Sequence, residues 1–72
     1  MFPEANDPFW VSLLRKRPQV STMALRLLLG RLQKKFENEK ITENEAASEL
    51  IVFFNKYKSM CKKEFQLIKN QL

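Results

Sequence analysis

The sequence predicts an all-α protein in which a short N-terminal helix is followed by an antiparallel helical hairpin with a long C-terminal helix. Apolar residues recur at intervals of three or four, as they do along one face of a helix. Prolines and helix-capping residues stand where this pattern stops and starts again. The expected product is one small domain over residues 1–72, either a three-helix mini-bundle or an oligomeric hairpin.

The first helix is predicted over about residues 8–17. Asp7 can cap its N-terminus, and Pro8 suits the first helical position, where a missing N–H costs nothing. Pro18 disfavours helical geometry in the residue before it, so the helix should end near Arg17.

The second helix is predicted over about residues 22–37, with Ser21 or Thr22 as its cap. Gly30 lies inside it and is interpreted as a tolerated residue that costs about 1 kcal/mol relative to alanine. The apolar residues at helical spacing are Leu25, Leu28, Leu29, Leu32 and Phe36.

The third helix is predicted over about residues 43–71 because Thr42 and Glu45 form a capping box and no proline or glycine follows. Unbroken, it would be about 43 Å long, against about 25 Å for the second helix. Its last turns would then need cover from the first helix or from a second chain. Its main apolar stripe comprises Leu50, Phe54, Tyr57, Cys61, Phe65, Ile68 and Leu72.

The composition argues against an enzyme. The chain has no histidine, a single cysteine and a single glycine, so a zinc site, a disulfide within the chain and a glycine-rich phosphate loop are all unexpected. Cys61 falls in the apolar stripe and is interpreted as a buried structural thiol. No cofactor and no metal are expected.

The location predicted from the sequence is intracellular and cytoplasmic. The first ten residues lack the basic and apolar regions of a secretory signal, and the longest aliphatic run has three leucines. Surface binding to a membrane by the first helix is the weakest interpretation, because its apolar residues are needed in the core.

The net charge of +5 is unevenly distributed along the chain. Residues 15–36 contain seven cations and no acid, whereas residues 37–49 carry a net charge of −4. In a hairpin, this pattern predicts an acidic turn and a basic open end, with Arg15, Lys16 and Arg17 at the basic end.

The leading hypothesis for function is a non-enzymatic protein-interaction module, such as a regulator, an inhibitor, a small chaperone or an assembly subunit. It would self-associate, for instance as a homodimer, or dock on a protein partner through apolar ridges that exceed the needs of a small core. The residues predicted to make these contacts are Phe9, Trp10, Leu13, Met23, Leu27, Phe53, Met60 and Leu67.

The alternative hypothesis is a nucleic-acid-binding protein that contacts mainly the phosphate backbone. Its basis is the isoelectric point of about 9.7 and the cluster of cations in the first half of the chain. The residues predicted to bind phosphate are Arg15, Lys16, Arg17, Arg26, Arg31, Lys34 and Lys35.

Overall fold

The computed structural model describes residues 2–72 and shows four α-helices in this range, with no strand. The helices are α1 (Pro8–Lys16), α2 (Met23–Glu37), α3 (Glu43–Lys56) and α4 (Lys58–Gln71). Helix α1 packs against α2 and α3, α2 packs against α3, and α4 packs against α3. The described residues measure 31 × 21 × 21 Å. The predicted all-α class is therefore confirmed.

Two of the three predicted N-caps, at Asp7 and at Thr42, are observed. The Asp7 side chain accepts a hydrogen bond from the Phe9 backbone N–H at 2.9 Å, and Pro8 occupies the first helical position of α1. At α3, the Thr42 hydroxyl accepts from the Glu45 N–H, and the Glu45 carboxylate accepts from the Thr42 N–H. Both signals act within one turn, which is why the sequence alone was sufficient to find them.

Helix α1 ends one residue before the predicted boundary. Arg17 adopts the left-handed helical conformation, with φ of 49°, and the chain then continues through Pro18 in non-helical backbone. A left-handed residue commonly ends a helix, and proline after it prevents the helix from continuing.

The prediction of a single long third helix is wrong. The chain bends at Tyr57, whose φ and ψ of −115° and 45° are not helical, so that α3 and α4 are separate helices of 14 residues each. Neither proline nor glycine marks the bend. The apolar stripe also continues through it without interruption, so periodicity could not reveal where the helix ends.

The bend explains how the apolar residues near the end of the chain are covered, although α2 is much shorter than the continuous third helix predicted from the sequence. A straight helix would have carried Phe65 and Ile68 beyond the end of α2, whereas in the bent chain Ile68 is fully buried and Phe65 packs against the core. The free energy gained by burying these two side chains outweighs the intrinsic helix propensity of the residues around Tyr57. Cover for these residues therefore comes from the chain itself.

The core contains residues from all four helices and from the link between α1 and α2. Trp10 and Phe54 lie at its centre, with ring centroids 5.5 Å apart. Phe2, Phe9 and Phe65 surround this pair with neighbouring centroids 5.0 to 6.0 Å apart. We call these five residues, Phe2, Phe9, Trp10, Phe54 and Phe65, the aromatic cluster.

Candidate protein-binding groove

A shallow groove of about 790 Å³ runs between α2 and α3. Part of α2, residues 24–31, forms one wall, and part of α3 with Tyr57, residues 48–57, forms the other. We call it the α2–α3 groove. Its apolar lining residues are Ala24, Leu27, Leu28, Val52, Phe53 and Tyr57. Its polar lining residues are Arg31, Ser48, Glu49 and Lys56.

The groove exposes large aliphatic side chains. Leu27 is 66% exposed and Val52 is 65% exposed, and Met23, which precedes the groove on α2, is 61% exposed. Single exposed apolar residues are normal on protein surfaces, but apolar residues that share one concave surface are characteristic of binding sites.

Aromatic contacts fix the floor of the α2–α3 groove. The Phe53 ring is half-buried and lies 4.9 Å from the Tyr57 ring and 6.1 Å from the ring of Phe54 in the core, measured between centroids. The floor is therefore anchored to the aromatic cluster through Phe54. A partner would meet a surface whose shape is largely set in advance, which reduces the entropy lost on binding.

The two walls of the groove differ in charge. On the α2 wall Arg31 is followed one turn later by Lys34 and Lys35, and no acid occurs in α2 before Glu37. The α3 wall carries one acid, Glu49, and one cation, Lys56, whose ammonium lies 5.4 Å from the centre of the Tyr57 ring. Within residues 2–72, Arg31 and Lys56 form no ion pair. The α2 wall is thus the cationic one.

Two of the residues predicted to bind a partner lie in the core instead. Trp10 and Leu13 have no exposed surface, and the Trp10 indole N–H donates to the Glu4 carbonyl at 2.8 Å. Their large apolar side chains are used to fill the space between α1 and α3, so we remove both from the candidate binding residues. Phe9 is half-buried beside Trp10 and Phe65, which leaves it a mainly structural place in the aromatic cluster.

The other predicted contact residues fall on two separate surfaces. Leu27 and Phe53 line the α2–α3 groove, and Met23 lies at its edge. Met60 and Leu67 are exposed on α4, at 47% and 55%, and do not line the groove. The bend at Tyr57 separates Phe53 from Met60 and Leu67, which follow it at intervals of seven residues in the sequence.

Sequence reasoning missed Val52 and Tyr57 as groove residues. Val52 lies three residues after Glu49 and four before Lys56, so on a helix it is an apolar residue on a polar face. This isolated apolar residue on a polar face was the feature of the sequence that could have identified Val52 as a surface contact residue. Tyr57 was assigned to the buried stripe, and only the bend brings it to the surface.

A buried carboxylate on α4 was also missed. Glu64 is only 4% exposed, and its oxygens accept hydrogen bonds from the Ser21 N–H, from the Ser21 hydroxyl at 2.5 Å and from the Thr22 N–H at 3.3 Å. Thr22 makes no side-chain cap of its own at the start of α2. Glu64 therefore supplies, from another helix, the acceptor that the start of α2 needs.

The expected separation of charge between an acidic turn and a basic open end is wrong. Arg15 forms an ion pair with Glu43 at 3.9 Å, and Arg17 forms one with Glu37. The Arg15 guanidinium also lies 5.0 Å from the centre of the Phe36 ring. The end of α1 lies beside the acidic turn between α2 and α3, which the chain order alone could not show.

The other five cations of the nucleic-acid hypothesis fall in three places. Lys16 donates to the Leu72 carbonyl at 3.2 Å, and the Arg26 side chain donates to the Val20 carbonyl at 3.1 Å. Arg31, Lys34 and Lys35 are exposed on α2. Nucleic-acid binding by these seven residues stays a prediction.

The single thiol lies in the core, as its position in the stripe predicts. Cys61 has no exposed surface, and burial raises the pKa of its thiol, with a further increase from the charge of Glu64. A raised pKa keeps the thiol protonated and poorly nucleophilic. Across residues 2–72 there is also no group of three histidine, cysteine, aspartate or glutamate side chains that could hold a metal ion.

None of the four described helices combines the length and the apolar character that crossing a membrane requires. No protein-family model, no curated protein and no solved structure matches the chain. Functional interpretation therefore rests on the geometry of the chain's own residues.

Proposed function

We propose that this chain is a non-enzymatic protein-interaction module that docks on a protein partner through the α2–α3 groove. One observation carries the proposal: Leu27 and Val52 are about two-thirds exposed in a concave surface, although a complete core lies directly beneath them. Part of the apolar surplus expected from the sequence, including Leu27 and Phe53, thus lies in this groove. A regulator, an inhibitor, a small chaperone or an assembly subunit would use such a surface in the same way.

The exposed side chains supply a driving force for binding. Full burial of one leucine or valine side chain is worth about 1.5–3 kcal/mol. The cationic α2 wall adds attraction for an acidic partner, which raises the rate of association more than the final affinity. Packing on Leu27 and Val52 would hold the complex, and charge would accelerate its formation.

Site-directed photo-crosslinking in the cells that make the protein tests the proposal. The photoreactive residue p-benzoylphenylalanine replaces Leu27 in the groove, and in a matched chain it replaces Gln66, which is exposed on α4 outside the groove. We expect a discrete protein adduct from position 27 and none from position 66. The adduct should disappear when Val52→Asp is added to the first chain.

The absence of any protein adduct at position 27 would contradict the proposal. Adducts of equal yield from positions 27 and 66 would also contradict it, because they would indicate contact without a defined site. Circular dichroism of each variant checks that the helices are retained.

A second candidate function, binding to nucleic-acid phosphates, is favoured by a recess on α4. Lys58, Lys62 and Lys69 line it together with Phe2 and Phe65, and these lysines form no ion pair within residues 2–72. Such binding should weaken steeply as salt increases. A labelled single-stranded oligonucleotide that binds the wild-type chain at low salt, but not a Lys62→Glu variant, would support it; equal binding by both would count against it.

A further inference from the structure

We infer that the α2–α3 groove takes one acidic amphipathic helix of a protein partner. The inference rests on the proposed protein-binding function and adds the shape and the charge of the segment that binds. Three properties of the groove support it: its length, the charge of its α2 wall, and its size relative to a dimer interface.

The length of the groove fits two turns of a helix. On α2 the lining runs from Ala24 to Arg31, which spans about 10 Å, and on α3 it runs from Ser48 to Lys56, which spans about 12 Å. Apolar residues at positions i, i+3 or i+4, and i+7 of a bound helix span a similar length. These are the anchors that helices use when they dock in grooves.

The charge of the α2 wall selects an acidic helix. Arg31 lines the groove, and Lys34 and Lys35 follow it one turn later on α2, where no carboxylate occurs between Met23 and Phe36. Glu49 is the one acid of the groove lining, and it forms no ion pair with these cations within residues 2–72. A partner with carboxylates along the edge of its apolar face would place them opposite these cations. A basic helix would meet repulsion there and from the net charge of +5.

A second copy of the chain is a poorer occupant. Only ten residues line the groove, whereas a stable interface commonly involves about 20–30 residues on each side. One helix, by contrast, can lie in a surface of this size.

The edge of the groove can adapt to different apolar side chains of a bound helix. Met23 is 61% exposed immediately before the lining residue Ala24. Methionine is flexible and polarisable, and it is common on surfaces that accept varied helices. The fixed floor at Phe53 and the flexible edge at Met23 together favour recognition of an apolar pattern over one particular sequence.

Peptide binding to the full chain tests the inference. The probe is a synthetic peptide of about 15 residues with leucines at i, i+4 and i+7 and glutamates beside them, long enough to form a helix on binding. One control peptide has lysines in place of the glutamates, and another has the same composition with the leucines spread around the helix. Fluorescence anisotropy gives the affinities, and amide chemical shifts of the ¹⁵N-labelled chain locate the site.

We expect the acidic peptide to bind at least about tenfold more tightly than either control, with the largest shifts at Leu27, Val52 and Phe53. Arg31→Glu should weaken the acidic peptide about fivefold and strengthen the lysine peptide. Lys62→Glu changes the net charge equally but lies outside the groove, so it should have a much smaller effect.

A matched pair of leucine variants completes the test. Leu27→Asp should abolish peptide binding, whereas Leu67→Asp, at an exposed leucine of α4, should preserve it. Equal affinity for the acidic and lysine peptides, or shifts centred on α4, would overturn the inference. So would a stable dimer in light scattering that Leu27→Asp dissociates, since the occupant would then be a second copy.

Failure of the acidic-helix inference can be distinguished from failure of the proposed protein-binding function. A protein adduct at position 27 together with no preference for the acidic peptide would retain the binding function and reject the acidic helix. Binding of the acidic peptide without any adduct in cells would reject the function while showing that the groove accepts such a helix.

Discussion

The two sides of α3 use their apolar residues differently. Toward α1 and α4, Leu50 and Phe54 are fully buried, and Phe54 lies within the aromatic cluster. Toward the first half of α2, Val52 stands open in the groove, and Leu27 stands open opposite it. The bend at Tyr57 brings α4 to cover the first side and leaves the second uncovered. In so short a chain, closing the core on one side leaves too few residues to cover the other.

The largest expected effect compares one residue from each side. Trp10→Ala removes a fully buried ring and should lower the free energy of unfolding by about 3–5 kcal/mol, whereas Leu27→Ala should change it by less than about 0.5 kcal/mol. Urea denaturation followed by circular dichroism measures both. Because Trp10→Ala is expected to approach complete unfolding, Trp10→Phe serves as a milder second variant.

The predicted difference between the two sides of α3 would be contradicted if Leu27→Ala lowered the free energy of unfolding as much as Trp10→Ala. Leu27 would then contribute to the core, and the groove would be a packing surface instead of a binding surface. Retention of full stability in Trp10→Ala would equally contradict the buried position of the indole.

The next effect concerns the attachment of α4. Glu64→Ala leaves the N–H groups of Ser21 and Thr22 without their acceptor and should cost about 1–3 kcal/mol. Glu64→Gln keeps one acceptor oxygen and should cost less. Glu49→Ala, at an exposed glutamate of the groove, should stay within about 0.5 kcal/mol.

Hydrogen exchange adds a local measurement to this comparison. Amides at the start of α2 and along α4 should exchange faster in Glu64→Ala, while amides of α3 keep their protection. Uniform loss of protection over all four helices would indicate that Glu64 supports the whole fold and does not act mainly as a cap.

Local signals explain how much of this fold the sequence could predict. The Asp7 cap and the Thr42–Glu45 capping box act between residues at most three apart, and both are found in place. The bend at Tyr57 and the cap from Glu64 depend on contacts between distant parts of the chain; Glu64 lies 43 residues from Ser21. The spacing of apolar residues along the chain carries no information about such contacts.

The same distinction applies to the candidate site. Leu27 and Phe53 could be selected because each falls outside the main stripe of its helix, and both line the groove. Trp10 was selected for being aromatic, a property that favours a core position as strongly as a binding position. Only the packing of α1 against α3 decides between the two.

A smaller effect tests α2, which forms the cationic wall. Gly30 has a negative-φ backbone, and a Cβ placed on it meets no heavy atom within 4 Å. Gly30→Ala should therefore raise stability by about 1 kcal/mol and the melting temperature by about 4 °C or more. The reverse exchange, Ala24→Gly at an exposed position in the first turn of α2, should lower stability by a smaller amount because the helix-interior cost of glycine does not apply in full there.

These two variants sharpen the comparison because they alter the stability of the α2 helix without removing a large side chain. If Gly30→Ala destabilised the protein, the open space beside Gly30 would have to be occupied in solution. Peptide affinity should change little in Gly30→Ala, since Gly30 does not line the groove.

The smallest effect is a dependence of stability on pH at the start of α3, ahead of Ser48, where the groove lining begins. Hydrogen bonds from the Thr42 N–H and hydroxyl lower the pKa of the exposed Glu45 carboxyl below its ordinary value. A carboxyl whose pKa is lower in the folded than in the unfolded chain stabilises the fold at pH values above its ordinary pKa of about 4.3. That contribution is lost as the pH falls through the folded-state pKa, because the carboxyl is then protonated in both states.

Glu45→Gln isolates this contribution, since glutamine keeps an acceptor oxygen but does not titrate. We expect the wild-type chain to exceed Glu45→Gln in stability by more at pH 6 than at pH 3, as measured by urea denaturation. The buried aromatic side should show no such local dependence, and the protection of amides at the start of α3 should decrease first in acid. An equal difference at both pH values would mean that the capping box acts only through neutral hydrogen bonds. The start of α3 would then be as stable in acid as at neutral pH.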